Sequence, residues 1–588
     1  MKSKKRRVSC KVARTLALLL SLAMLFTTSA CSNKEKDTNK GNPDSGKVAE
    51  VSTGPITIDW LLFSTPQLQD QFYTYQEESP VYKKLVEKTG VSLNVIGLAD
   101  DQVSVRMAGD EMGDLISVYS SEQLANLVEG DLVYSLEELV EQYAPDIKTA
   151  MPARWKKAQE LYVNDENHVY ALPVRAGNYG KTMNSGTYLY TVRWDLYKQL
   201  GYPEMKNPED MVKVLTDMVA LQPTTEDGKK VYGTSFYLSD TRYWGFYGVM
   251  YRTYGYGDLK GDYVLKNLST NEVIYPCIDE EGPFWMACEY FNKAYRAGIL
   301  DPDCFTQKSG DFTGKISSGQ ILTSMYFDTS LEKALLEKNP ESMVGYANIP
   351  VKDTWIYQEV DEPWGWASYY SLAIPKTCKD PARVMKFLDY CFSEEGARLL
   401  LSGVEGEQWD YVDGVPTYNE ETFTILQERK VNLLKSGINN SPLNNLCGYS
   451  DGHVLSDGYC ANLSVEEDYF ARVKLSPCQQ DYCDYYGISW PSEKIFDLAE
   501  QGFMHTMKDG NLAGSVTADE VLSRICNVRF TITIQAISQA ASAKDDAQFG
   551  QLKAGTIKEL LSAGAPAGED YYTKTFHENY ESWKEYVE

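Results

Sequence analysis

Apolar and polar positions along this chain fall into short strand-like runs separated by helical spacing. Ile56 to Phe63 (ITIDWLLF) is an apolar, β-branched run that ends at Ser64-Thr65-Pro66 and predicts a strand. Val81 to Thr89 (VYKKLVEKT) then has helical spacing with Gly90 as its stop, and Val91 to Ile96 alternates as a second strand. Leu115 to Tyr119 (LISVY), a helix through Gln123 to Leu127, and Val133 to Tyr143 continue the series. Strand, helix, strand is the rhythm of a parallel α/β sheet, in which ligands sit outside the carboxyl ends of the strands. That rule singles out Phe63-Ser64-Thr65 and Tyr119-Ser120-Ser121, and makes Ser64 and Tyr119 candidate ligand contacts.

From Tyr188 the pattern restarts as a second lobe. A helix through Trp194 to Leu200 ends at Gly201-Tyr202-Pro203, a second spans Pro208 to Ala220, and Glu226-Asp227-Gly228 makes a turn. Pro283 to Ala297 is a helix closed by Gly298, and Ile321 to Phe327 (ILTSMYF) is a strand ending at Asp328. Tyr370 to Ile374 is a further strand before Pro375, followed by a helix from Pro381 to Phe392, and the tail from Ser492 is mainly helical.

The amino terminus follows a different pattern. Seven basic side chains and no acidic one precede an apolar run of 11 residues, Leu16 to Phe26. Such a helix is about 16 Å long, short of the ~30 Å hydrocarbon core, so it reads as a signal-peptide core and not as a membrane span. Thr28-Ser29-Ala30-Cys31 resembles the bacterial lipobox, which makes residues 1–30 a leader and Cys31 the lipidated residue; an ordinary secretory signal with an incidental cysteine is the alternative. Residues 31–54 hold almost nothing apolar and read as a flexible tether. The expected location is the extracytoplasmic face of the cell membrane, anchored by lipid.

Composition narrows the partners. The 588 residues carry 83 acidic and 57 basic side chains, a formal charge of −26, so polyphosphate binding is disfavoured and a neutral or cationic ligand is easier to hold. Ten of the 12 cysteines lie between Cys277 and Cys526; export permits disulfides, but the spacings assign no pairs and match no zinc site. Four histidines and the absence of H-E-x-x-H, G-x-S-x-G and G-x-x-x-x-G-K-[ST] remove the usual hydrolase and nucleotide signatures. Paired carboxylates of a glycosidase carry no short signature, so a carbohydrate-active enzyme stays open as an alternative.

Tyr369 to Arg398 (YYSLAIPKTCKDPARVMKFLDYCFSEEGAR) resembles family 1 extracellular solute-binding lipoproteins of carbohydrate ABC importers. Gly403 to Gly414 (GVEGEQWDYVDG), Val192 to Pro203 (VRWDLYKQLGYP) and Asp227 to Gly233 (DGKKVYG) extend the likeness, which is greatest to the large oligosaccharide-binding subgroup. The resemblance implies an α/β, two-lobe, periplasmic-binding-protein-like (type II) fold with a hinge and a mostly helical C-terminal tail. Lobe 1 would comprise 55–175 plus 367–445, and lobe 2 176–366 plus 446–588. It further implies a non-enzymatic monomer that passes an oligosaccharide to ABC permease subunits, with no cofactor and no nucleic acid; a peptide or signal receptor on the same fold is a further alternative. Relatives with a D-x-D-x-D-G calcium loop have it where this chain reads Thr224 to Lys230 (TTEDGKK), too few oxygen ligands for a metal site.

A sugar ring offers an apolar face and a rim of hydroxyls, so its site needs flat aromatic plates and fixed polar groups. Aromatic clusters at 243–247 and 364–369 supply Trp244, Trp364 and Trp366 as candidate plates, with core packing the alternative for each. Arg175, Asp328, Glu405 and Trp409 complete the candidate substrate-binding set, with structural ion pairs the alternative for the charged members. Asp328 is favoured, because a carboxylate at a strand's carboxyl end can accept two hydroxyls.

Overall fold

The computed structural model describes residues 54–588 other than 163–167, 179, 182–189, 239–245, 247–250, 252–253, 261–263, 325–329, 350, 352–356, 363, 366–369, 429–430, 439–440, 495–500, 502–503, 510–511 and 513–519. The leader, Cys31 and the tether therefore lie outside the described residues.

Strands β1 (Ile56–Phe63), β2 (Val91–Leu98), β3 (Leu115–Val118) and β4 (Ser371–Ala373) form the first sheet in the order β4-β3-β1-β2. β1 pairs in parallel with both neighbours, and β4 returns antiparallel to β3. Ile58, Trp60 and Leu62 of β1 enter one core and Leu61 and Phe63 another, which is why the run is apolar at consecutive positions: both faces of the strand are covered. The Trp60 indole N–H is satisfied inside the sheet by Ser117 Oγ at 2.8 Å.

The main core of this lobe also takes the helices Pro381–Cys391 and Glu394–Ser402, each capped by a side chain: Asp380 accepts from Arg383 N and Ser393 from Gly396 N. It extends through Leu446, Cys447, Tyr449, Leu455, Ala461 and Leu463, which stand on the lobe 2 side of the sequence boundary at 445.

The second lobe is built on a three-stranded sheet in which Thr191–Arg193 lies between Tyr346–Asn348 and Thr323–Ser324, antiparallel to both. Its core gathers Trp194, the amphipathic helix Pro283–Arg296, and parts of the helices Glu520–Ala541 and Asp546–Ser562. The tail is helical as expected, ending in Ala565–Val587.

Three chain segments meet between the lobes. Leu172 pairs with Leu372, Ala176 with Tyr449, and Gly177-Asn178 with Asp361-Glu362. Gly365 (φ +80°) crosses over Val174 so closely that a Cβ would stand 2.4 Å from its carbonyl oxygen. The ten cysteines from Cys277 to Cys526 are all free thiols. Eight of them are buried, where Cys packs as a small hydrophobe.

Candidate functional site

The carboxyl edge of the first sheet brings Ser64 and Tyr119 together, as the strand pattern requires. Ser64 follows β1 in a left-handed conformation (φ +62°), which turns its hydroxyl to Asp100 Oδ1 at 2.5 Å, just past the end of β2. Gln123 joins all three strand ends. Its Nε2 donates to Ser64 Oγ at 2.8 Å and more weakly to Asp100 Oδ1 at 3.4 Å, while its Oε1 accepts from Tyr119 N at 2.8 Å. Ser120 caps the helix that carries Gln123, accepting from its backbone N–H at 3.2 Å. Ser64, Gln123 and Tyr119 are half-buried and Asp100 is exposed, so this edge is fixed yet accessible.

Tyr119 also meets Tyr370 edge to face, with ring centroids 5.5 Å apart at 83°. Tyr370 precedes β4 in a left-handed conformation (φ +55°). Burial, and secondarily Tyr119, raise the pKa of its phenol, which stays protonated at neutral pH and can donate a hydrogen bond. Two aromatic rings, a carboxylate, a hydroxyl and an amide on one strand edge are the groups that hold a polyhydroxylated ring.

Four expected contacts lie elsewhere or are not seen from solvent. Arg175 (φ +59°) sits in the crossing between lobes, its N–H bonded to Cys447 O at 2.9 Å and its guanidinium paired with Asp451, with only 6% of the side chain exposed. It ties two crossing segments of the chain together. Nearby, the fully buried Arg154 donates to Gly448 O at 2.9 Å and stacks on Phe392, and burial lowers its pKa to about 10.

Trp364 is 2% exposed and packs against Trp583 of the C-terminal helix at 5.0 Å between centroids, among Leu259, Met507 and Phe576. The helical tail folds back over it, and a ring covered in this way has no face left for a sugar. Glu405 and Trp409 meet in a separate surface hollow of about 580 Å³ that also includes Lys88, Arg398 and Tyr411. There Trp409 is 4% exposed and donates from its indole nitrogen to Gly403 O at 2.9 Å, so its ring is architectural, while Glu405 is exposed.

Trp244, Asp328 and Trp366 lie outside the described residues. Their neighbours in sequence are described. In the second lobe Thr234 is bridged to Leu300, and Ser324 pairs with Thr191. Asp301, whose backbone N–H donates to Thr234 O at 3.0 Å, is fully buried. It accepts from Ser235 Oγ at 2.8 Å and Lys315 Nζ at 2.7 Å, and Gln307 donates to Phe236 O at 2.6 Å. In Thr224 to Lys230, the Asp227 carboxylate is paired with Lys229 at 2.8 Å.

Asp100, Gln123 and Tyr370 join this edge without having been singled out by sequence reasoning. Asp100 stands just past its strand as Ser64 does past β1, so the same end-of-strand rule reaches it. Gln123 completes a Ser-x-x-Gln start signal with Ser120, a pattern readable in advance. Tyr370 had no such signal, because its position depends on an antiparallel return across more than 250 residues.

The sequence matches the family model described as bacterial extracellular solute-binding protein over residues 65–398. No curated protein matches it closely. Among solved structures, the fold is similar to an HMO-binding, ABC-transporter-associated solute-binding protein from Bifidobacterium longum infantis (14% identity, 89% of this chain and 99% of that one, TM-score 0.58). It is also similar to an extracellular solute-binding protein from Bifidobacterium longum subsp. infantis (12%, 90% and 98%, 0.60) and to the Streptococcus pneumoniae ABC-transporter substrate-binding protein FusA in complex with kestose (14%, 88% and 99%, 0.56). At these identities the likeness establishes the two-lobe fold.

Proposed function

Because this chain belongs to the bacterial extracellular solute-binding proteins, we propose that it captures a neutral oligosaccharide between its lobes and delivers it to the permease of an ABC importer. The observation that carries the reading is the accessible edge where Ser64, Asp100, Gln123 and Tyr119 are bonded into one circuit, with Tyr370 against Tyr119. Similar folds bind HMO and kestose, which supports a glycan over a peptide. A charge of −26 favours a neutral one.

Capture works by closure. A ligand that touches both lobes stabilises the closed state by its differential affinity, and turning a 1:99 population into 99:1 needs about 5.5 kcal/mol. That figure is the advantage of the closed state over the open one in affinity, about 10⁴-fold, whatever the overall affinity. The polypeptide itself acts as a non-enzymatic monomer, held at the membrane by lipid on Cys31; among the described residues no helix is long and apolar enough to cross a membrane. The lobes are best divided with residues up to about 472 in the first, since its core includes Leu463 and Phe470 follows in the next helix.

Titrating the full chain with 1-kestose, lacto-N-tetraose, Man5GlcNAc and cellotetraose tests the proposal. The expected result is a saturable change in tryptophan fluorescence and a raised melting temperature for at least one glycan, recovered intact by thin-layer analysis. Shortened glycan would establish the enzyme reading instead, and silence with all four alongside a response to peptides would establish the peptide receptor.

A further inference from the structure

In the second lobe, one buried side chain carries polar groups at both ends that its packing does not explain. Asn348 is the last residue of the strand Tyr346–Asn348 and is fully buried, yet neither its Nδ2 nor its Oδ1 has a hydrogen-bond partner. Its backbone carbonyl accepts from Tyr482 Oη at 3.0 Å, and in the strand register it stands opposite Thr191.

Buried carboxamides with a structural task look different in this protein. Gln408 accepts from Val404 N at 2.9 Å and donates to Ser436 O at 3.0 Å. Asn292 donates to Ala543 O at 2.6 Å. Among the described residues, Asn348 is the one buried carboxamide open at both ends. Burying an unpaired amide costs free energy at each end, so an apolar residue at this position would serve packing better.

Its place in the fold supplies the reason. The register row at this end of the sheet runs Asn348, Thr191, Ser324, three hydrogen-bonding residue types side by side, and the next row inward is Ala347, Val192, Thr323. The strands ending in Asn348 and Ser324 both run antiparallel to Thr191–Arg193, so they finish at the same edge. This is the second lobe's counterpart of the edge bearing Ser64 and Tyr119.

We propose that Asn348 is a specificity-determining residue whose carboxamide receives a vicinal diol of the captured sugar. One hydroxyl oxygen accepts from Nδ2 while the adjacent O–H donates to Oδ1, so a single ring fills both open positions. A ligand reaches the amide when this strand end is uncovered. The assignment rests on the glycan-capture reading and adds the residue and the chemical group that it reads.

Calorimetric titration of the full chain and of its Asn348→Leu and Asn348→Asp variants with the same four glycans decides the matter, together with the melting temperature of each ligand-free protein. The expected result is at least a tenfold loss of affinity in Asn348→Leu for every glycan bound by the wild type, kestose and cellotetraose included. Asn348→Asp keeps the acceptor and should retain part of the affinity. The ligand-free Asn348→Leu should melt no lower than the wild type. Unchanged affinity in Asn348→Leu, or a lowered melting temperature without loss of affinity, would overturn the assignment and leave glycan capture standing. A loss confined to acetamido-bearing glycans would overturn the diol. A wild type that binds none of the four would overturn glycan capture itself, and the assignment with it.

Discussion

The carboxyl edges of the two sheets are built in opposite ways. On the first, Gln123 closes a circuit through Ser64, Asp100 and Tyr119, so the polar groups hold one another before any ligand arrives. On the second, the carboxamide of Asn348 is buried with both ends open. A closed circuit fixes positions and lowers the ordering cost of binding. An open amide contributes little until a partner fills it, and then discriminates strongly against ligands lacking that partner. One edge thus serves as a preorganised platform and the other as a reader.

The comparison can be broken at three points. If recognition belongs to the edges, the buried aromatic cluster behind them governs stability alone. Trp364→Ala should then cost about 3–5 kcal/mol of unfolding free energy in urea, through the cavity it leaves against Trp583, with glycan affinity of the folded protein unchanged. A smaller stability cost accompanied by lost affinity would return Trp364 to the site.

Gln123→Ala opens the platform's circuit. Calorimetry should show glycan binding weakened by about 1–2 kcal/mol, with little change in melting temperature, because the edge is partly solvated. Equal affinity would mean that the first edge is not a platform.

The smallest effect is expected beside the first lobe's core, where His453 stacks on Tyr449 at 4.6 Å. Burial holds its pKa below the ordinary 6.5, with Glu394 opposing and Arg154 reinforcing that shift. The folded state thus binds fewer protons than the unfolded one. Its contribution is fully present above about pH 6.5 and declines as the pH falls through that value toward the lowered folded pKa. Urea melts between pH 5 and 7.5 should show this decline, and His453→Gln should flatten it.

Much of this architecture was legible in the chain. The Ile56–Phe63 and Leu115–Val118 runs gave both the parallel sheet and the edge with Ser64 and Tyr119, because period and β-branching are local properties. The surroundings of Arg175 and Trp364 were not legible, for the opposite reason. Their environments come from Asp451 and Trp583, more than 200 residues away, and no local pattern records which partner will cover a side chain. Trp409 differs, because its indole is bonded to Gly403 only six residues away, within the same GVEGEQWD segment. Asn348 has no sequence signal at all, since an unsatisfied amide is visible only once its surroundings are in place.

The most direct test is a crystal structure of the full chain with the glycan that binds most tightly among the four. The expected density places a sugar with hydroxyls within hydrogen-bond distance of Asp100 on one lobe and of both ends of the Asn348 carboxamide on the other, with a ring against Tyr119 or Tyr370. Density in the hollow beside Glu405 and Trp409, or on one edge with the other untouched, would contradict recognition by two opposed edges.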